Sequence, residues 1–254
     1  GSSGRFGKEK VAPSVRARAL RLEKENGLSR SVAFQVAMGR QDLNDVLARM
    51  AFDNQVESLM RRHGLQKSLA TQVVTGDADL DAILLKREMA SHFEQNRDRS
   101  VFDAAQASGL PVKLALHGAT QVSGTISTAD SYEVVLNEPD GSQQTIHKLH
   151  VKFASMGSDA DRALAKVQVG PKAKESQGPI ERPQDRVRLS NRWLFALMKR
   201  GDLVEVTTLE GDVIHGTLTW MGRWELGLDM DGKGLSVVVM RHAISSLQSL
   251  SEPE

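Results

Sequence analysis

The chain has 254 residues and carries 33 Lys and Arg against 32 Asp and Glu, for a net charge of +1. That near balance excludes a histone-like protein whose affinity rests on bulk charge, and the lack of cysteine excludes a disulfide framework, thiolate zinc sites and cysteine nucleophiles. Hydrophobic residues make up 40% of the chain, enough for one large core or a few small ones, and no apolar run reaches the roughly 18 residues of a membrane helix, so a cytoplasmic protein is the expectation.

Gly1-Ser2-Ser3-Gly4 is read as a flexible lead outside the fold. Residues 1–25 form a basic segment, with Arg5, Lys8, Lys10, Arg16, Arg18, Arg21 and Lys24 against Glu9, Glu23 and Glu25. It reads either as an arm that touches phosphate or as a solvated first helix. Residues 26–99 follow as a helical domain built from two 37-residue αα repeats. Gly27-Leu28-Ser29-Arg30-Ser31-Val32 lies over Gly64-Leu65-Gln66-Lys67-Ser68-Leu69, and Gly39 and Asp42 lie over Gly76 and Asp79. Apolar residues recur at helical spacing in each copy, the glycines stand where a first helix ends, and the aspartates stand where a second would be capped. Each copy has the outline of a helix-turn-helix, in which Arg30 and Lys67 are candidate nucleic-acid contacts, but a helical hairpin that packs or binds a partner is the reading ranked first.

Beyond Arg99 the period changes to strict alternation, as in Val112-Lys113-Leu114-Ala115-Leu116 and in 203–208 and 235–239, with turn signals such as Pro139-Asp140-Gly141 and Asp231-Gly232 between the runs. Two strand-rich blocks result, 100–156 and 189–250, joined by a linker over 157–188 whose Gly170 to Pro179 core reads as extended and mobile. Each block opens with a capped helix, from Ser100 in the first and from Ser190 or Asn191 in the second, and each then runs through about five strands. Gly124 and Gly216 would let a mid-block strand bend sharply enough to close a small barrel.

In these blocks Gly124-Thr125-Ile126, Asp130-Ser131-Tyr132-Glu133 and Gln144-Thr145-Ile146-His147-Lys148 resemble the Sm-like barrel of the bacterial RNA chaperone Hfq family, and Met240-Arg241-His242-Ala243-Ile244-Ser245 is similar to that family's Tyr-Lys-His-Ala-Ile-Ser signature. The fold class expected from the resemblance is α+β: N-terminal helical hairpin repeats, then two small five-stranded Sm-like barrels, each with an N-terminal helix. The resemblance implies RNA-binding roles for Tyr132 and Trp224 as stacking aromatics, for His147, Lys148, Arg241 and His242 as pore-lining groups, for Gln144 as an adenine reader, and for Lys199 and Arg200 on the rim. On pattern alone an aromatic in an alternating strand fits a core position better. His147 and His150 lie three apart on one strand and so point to opposite faces, which argues against a metal site.

No acid–base pair and no glycine-rich phosphate loop is present in the sequence, so no enzyme and no cofactor are expected. The leading expectation is a non-catalytic, Hfq-like RNA chaperone or post-transcriptional regulator. It would bind U-rich or A-rich single strands, engage a protein partner through the helical repeats, and assemble as a homo-oligomer in which three chains close a six-barrel pseudo-ring. In the alternative, the barrels are only a multimerising scaffold for an N-terminal DNA-binding or protein-interaction module.

Overall fold

The computed structural model describes residues 12–170 and 178–251. The start of the basic segment and most of the predicted linker core, 171–177, lie outside the described residues. The chain divides into two compact units, up to Leu84 and from Leu85 onward.

In the first unit, α1 (Pro13–Asn26) has a proline in its first turn, where the missing N–H costs nothing, and ends on Gly27 in the left-handed conformation (φ 65°). A short α2 (Arg30–Ala37) follows, capped by the Ser29 hydroxyl, then a long α3 (Leu43–His63). The Asp42 carboxylate caps α3 by accepting from the N–H groups of Asn44 and Asp45. Next come α4 (Lys67–Thr75) and α5 (Leu80–Asn96), the latter begun by Asp79 accepting from Asp81 N. Two small cores result. Ala33 and Val36 pack with Ala19, Leu22 and Leu28, covered by the front of α3; Val56, Leu65 and Ala70 form the second, covered by Leu80 and Ile83. The tight pairings therefore join each long helix to the short one after it, α1 to α2 and α3 to α4, across Gly27 and Gly64.

The second unit contains the rest of α5, then α6 (Val101–Ser108), whose cap is the Ser100 hydroxyl. The first block supplies β1 (Val112–Leu116), β2 (Gln121–Ala129), β3 (Glu133–Asn137), β4 (Gln143–His147) and β5 (Val151–Met156). A short helix, α7 (Ala160–Ala165), stands in the predicted linker and packs Ala163 and Leu164 into the core. The second block supplies α8 (Asn191–Arg200), β6 (Leu203–Thr208), β7 (Val213–Met221), β8 (Glu225–Asp229), β9 (Ser236–Met240) and β10 (Ile244–Ser249). Single 3-10 turns, Lys148–His150 and Arg241–Ala243, lead into β5 and β10.

The expected pair of five-stranded barrels does not form. The ten strands make one open antiparallel sheet in the order β10-β6-β7-β8-β9-β5-β1-β2-β3-β4. The blocks join where β5 pairs with β9, Phe153 opposite Val239 and Ala154 opposite Val238. Pairing with β9 satisfies an edge of β5 that closure of the first block would have turned back on its own β4. It also lets the cores exchange side chains. Trp220, Val238, Met240 and Ala243 of the second block are buried among first-block residues, while Ala115 and Phe153 are buried in the second core.

The two mid-strand glycines are required by close approach. A Cβ on Gly124 would stand 2.1 Å from the Asn137 carbonyl oxygen, and one on Gly216 would stand 2.7 Å from that of Asp229. Past each glycine the pairing register shifts, between Ile126 and Thr128 and between Leu218 and Trp220, so both long strands bend at equivalent places.

A buried ionic cluster also ties the blocks together. Lys152 on β5 donates to Glu210 Oε2 at 2.5 Å and to Asp212 Oδ2 at 2.6 Å, all three side chains being 3% exposed or less. Glu210 accepts from Gly118 N, and Asp212 accepts from the Thr208 hydroxyl and from Gly170 N. The ammonium is thus the buried cation facing two carboxylates. Removing it leaves buried charge uncompensated, so Lys152→Ala should destabilise this unit by about 3–5 kcal/mol in urea unfolding, against under ~1 kcal/mol for breaking the exposed Lys113–Asp161 pair by Lys113→Ala. Equal effects of the two substitutions would remove the cluster from its structural role.

Candidate nucleic-acid interface

Two turns at the block junction have the same construction. In the β2–β3 turn Asp130 N donates to Glu133 O at 3.0 Å, and in the β7–β8 turn Gly222 N donates to Glu225 O at 2.9 Å. Each turn then receives a main-chain bond from the 3-10 turn of its own block: Lys148 N donates to Tyr132 O at 2.7 Å, and Arg241 N donates to Trp224 O at 2.8 Å. Tyr132 and Trp224 hold equivalent positions, and both rings stand in solvent, 72% and 58% exposed.

Each ring is held in place. The Asp130 carboxylate accepts from the N–H groups of Glu133 (2.8 Å) and Tyr132 (3.0 Å), which hold it below the usual carboxylate range and fix the turn. The Tyr132 ring stacks on His147, with centroids 6.4 Å apart and planes 19° from parallel. His147 is itself oriented, because its Nδ1 accepts from Leu149 N. Lys148 Nζ donates to Asp130 O at 2.5 Å and lies 5.1 Å from the Phe102 ring centroid. On the other turn the Arg223 guanidinium lies 4.6 Å from the centre of the Trp224 ring.

Both rings line one cleft of about 880 Å³, formed where the blocks meet. His147, Lys148 and His242 line it with them, so five of the sequence-predicted residues converge there. The cleft also holds Arg97, Arg99, Arg186 and Arg223, which the sequence reading missed. Arg97 and Arg99 read there only as the charged end of a helix, and Arg186 as part of the linker. Arg223, a cation beside an aromatic in a turn, was the one with a usable local signal. Arg186 is anchored by donating to the carbonyls of Ile180 and Glu181. The cations share the cleft with carboxylates, Asp98, Asp103, Asp130, Glu181 and Glu225, so its character is aromatic with mixed charge. Glu225 is buried, accepts from Val101 N at the start of α6 at 2.8 Å, and has its pKa raised to about 7 by burial.

Arg241, Gln144, Lys199, Arg200, Arg30 and Lys67 lie outside this lining, and His242, though it lines the cleft, is tied into the protein. Arg241 is built into the protein: its guanidinium donates to Gly222 O (2.9 Å), Leu189 O (3.2 Å) and Asn191 Oδ1 (2.8 Å). His242 has its Nε2 at 3.1 Å from the carbonyl oxygens of both Leu149 and Val151, which makes it a neutral donor stitching the second block to the first. Gln144 stands on β4 opposite Leu136, outside the cleft lining. Lys199 is paired with Glu88 at 2.9 Å, and Arg200 with Asp202 at 2.6 Å. Arg30 and Lys67 are exposed on the first turns of α2 and α4 in the other unit. Among the described residues no cluster of His, Asp or Glu is placed to hold a metal, and no helix is long and apolar enough to cross a membrane. No protein-family model matches the chain, and no curated protein matches it.

Burial drives the pKa of His242 down to about 4. The unfolded chain therefore binds a proton at this residue near pH 6.5 that the folded chain refuses, and the stability contributed by the neutral ring is lost as pH falls from about 6.5 toward 4. Burial lowers His117 and His92 in the same direction, whereas Glu225, raised, contributes with the opposite sign between about pH 4.5 and 7. Comparison with His242→Gln isolates the one group. The wild type should lose up to about 3 kcal/mol more than the variant between pH 7 and pH 4, measured by urea unfolding; parallel profiles would show that His242 is not buried neutral.

Proposed function

We propose that this chain is a non-catalytic protein that binds single-stranded RNA in the manner of Hfq-like RNA chaperones, acting in the cytoplasm as a chaperone or post-transcriptional regulator. The observation that supports the reading best is the repeated turn, which holds Tyr132 and Trp224 exposed on one cleft beside Lys148, Arg99 and Arg223. An exposed, oriented ring offers a π-face that any base accepts, and a neighbouring cation suits the phosphate. Buried aromatic carbon is favourable and exposed aromatic carbon is not, so two large rings presented to solvent on turns fixed by main-chain hydrogen bonds are more economically explained by a ligand than by folding. The reading needs neither closed barrels nor a large net charge.

Copies of the chain would associate through the sheet edges. Among the described residues the outer strands β4 and β10 each have one neighbour, and the β5–β9 junction is the pattern by which the β10 of one copy would meet the β4 of the next. Three chains joined in this way are the assembly we propose, and a solution mass equal to one chain at all concentrations would refute it.

Binding is tested with a labelled oligouridylate and a labelled oligoadenylate by fluorescence anisotropy. Tyr132→Ala and Trp224→Ala should each raise Kd by about fivefold to 150-fold, the equivalent of about 1–3 kcal/mol per stacked base. Retained affinity in both variants, or no binding by the wild type at low salt, would sink the proposal. In the second reading the sheet unit is a scaffold and the helical repeats carry the binding. Its support is the placement of exposed Arg30 and Lys67 at matching points of the repeat. It predicts that Arg30→Ala/Lys67→Ala abolishes binding to nucleic acid while Trp224→Ala leaves it intact.

A further inference from the structure

Beside the aromatic cleft lies a second concavity, of about 500 Å³, lined by four arginines and a single acid. Arg97 comes from the stretch after α5, Arg188 from the stretch before α8, Arg223 from the β7–β8 turn and Arg241 from the 3-10 turn after β9; the acid is Glu94. An excess of three positive charges is thus gathered in one pocket of a chain whose whole net charge is +1. Arg97, Arg188 and Arg223 are exposed. Arg241 lies beneath them, and its bonds to Gly222 O, Leu189 O and Asn191 Oδ1 hold together the two segments that carry Arg223 and Arg188. Gathering like charges costs energy in the free protein, and a bound anion reverses the sign of that term.

Arg97 and Arg223 line this pocket and the aromatic cleft alike, so the two concavities adjoin. Arg223 also lies against the Trp224 ring and so sits at the boundary between the surface suited to a base and the surface suited to an anion. Resting on the single-strand reading above, we propose that this arginine pocket holds the phosphodiester backbone of the strand whose bases stack on Trp224, with Arg97, Arg188 and Arg223 as the contacting groups and Arg241 as the residue that positions them. Guanidinium groups suit that ligand because their fork of N–H donors matches two phosphate oxygens and their charge does not titrate. The pocket supplies the localised positive charge that the mixed cleft lacks.

The test uses the full chain and a fluorescein-labelled oligouridylate of roughly 12 nucleotides, within the range that one small nucleic-acid-binding fold covers. Kd is measured by anisotropy over a series of salt concentrations for the wild type, Arg97→Gln/Arg188→Gln, Trp224→Ala, and Arg49→Gln/Arg61→Gln, which removes two exposed arginines of the helical unit and so matches the change in net charge. Loss of two phosphate contacts should weaken binding about tenfold or more at low salt and reduce the slope of log K against log salt by about 1.4, at roughly 0.7 per phosphate on a single strand. The matched-charge variant should keep both quantities, and Trp224→Ala should weaken binding with the slope preserved. If the wild type binds and Arg97→Gln/Arg188→Gln retains its affinity and slope, the arginine pocket is refuted while the single-strand reading stands. If the wild type does not bind at all, both fall. A thermal melt of each variant confirms folding, which substitution at exposed positions should leave intact.

Discussion

The antiparallel pairing of β5 with β9 is the contact on which the sheet-bearing unit depends. It comprises two residue pairs, Phe153 with Val239 and Ala154 with Val238, yet every other link between the blocks follows from it. It places Trp220 and Met240 in the core of the first block and Phe153 in the core of the second. It sets Lys152 against Glu210 and Asp212, and His242 beneath the carbonyls of Leu149 and Val151. A slip of one residue along β5 would exchange the faces of Lys152 and Phe153, burying the ammonium among apolar groups and leaving two carboxylates without their cation. The ionic cluster therefore acts as a register key. Its carboxylates and lysine bind each other in one alignment only, while an apolar junction would tolerate several.

The same pairing creates the candidate interface. Tyr132 and Lys148 belong to the first block and Trp224 and Met240 to the second, and the cleft exists because the blocks meet with their equivalent turns on a common side. The duplication is visible in the hydrogen bonds and the specialisation in the side chains. Lys148 keeps its ammonium at the cleft, bonded to the Asp130 carbonyl, whereas its counterpart Arg241 is drawn inside to three acceptors and is replaced at the surface by Arg223. A protein with balanced overall charge can in this way carry a strongly cationic pocket, since charge density at a site depends on which loops converge there and not on composition.

Much of the local structure was legible from the residues. Asp42, Ser100 and Ser190 cap helices because a short oxygen-bearing side chain suits a free N–H, and Gly124 and Gly216 sit where a neighbouring carbonyl leaves no room for a Cβ. The α7 helix escaped notice because six residues give too short a period to stand out from the polar stretch around them. Closed barrels were expected because the count and order of strands in each block suit closure, and the motif says nothing about which chain segment a fifth strand will choose as neighbour. Arg241 and His242 read as surface cations because a basic residue after a strand is exposed by default. Their carbonyl partners come from segments far away in the chain, so their burial has no local sign.

The division between sequence and fold follows the range of the forces involved. The turns, the caps and every helix but α7 rest on neighbours a few residues apart, and the sequence by itself determined them, as a motif repeated in each block marked Tyr132 and Trp224 as equivalent. Which edges pair, which cations stay in solvent, and where Arg97, Arg188 and Arg223 come together were decided only by the tertiary structure. Those outcomes turn on burying side chains and satisfying strand edges contributed by distant segments, and no local pattern records that comparison of alternatives.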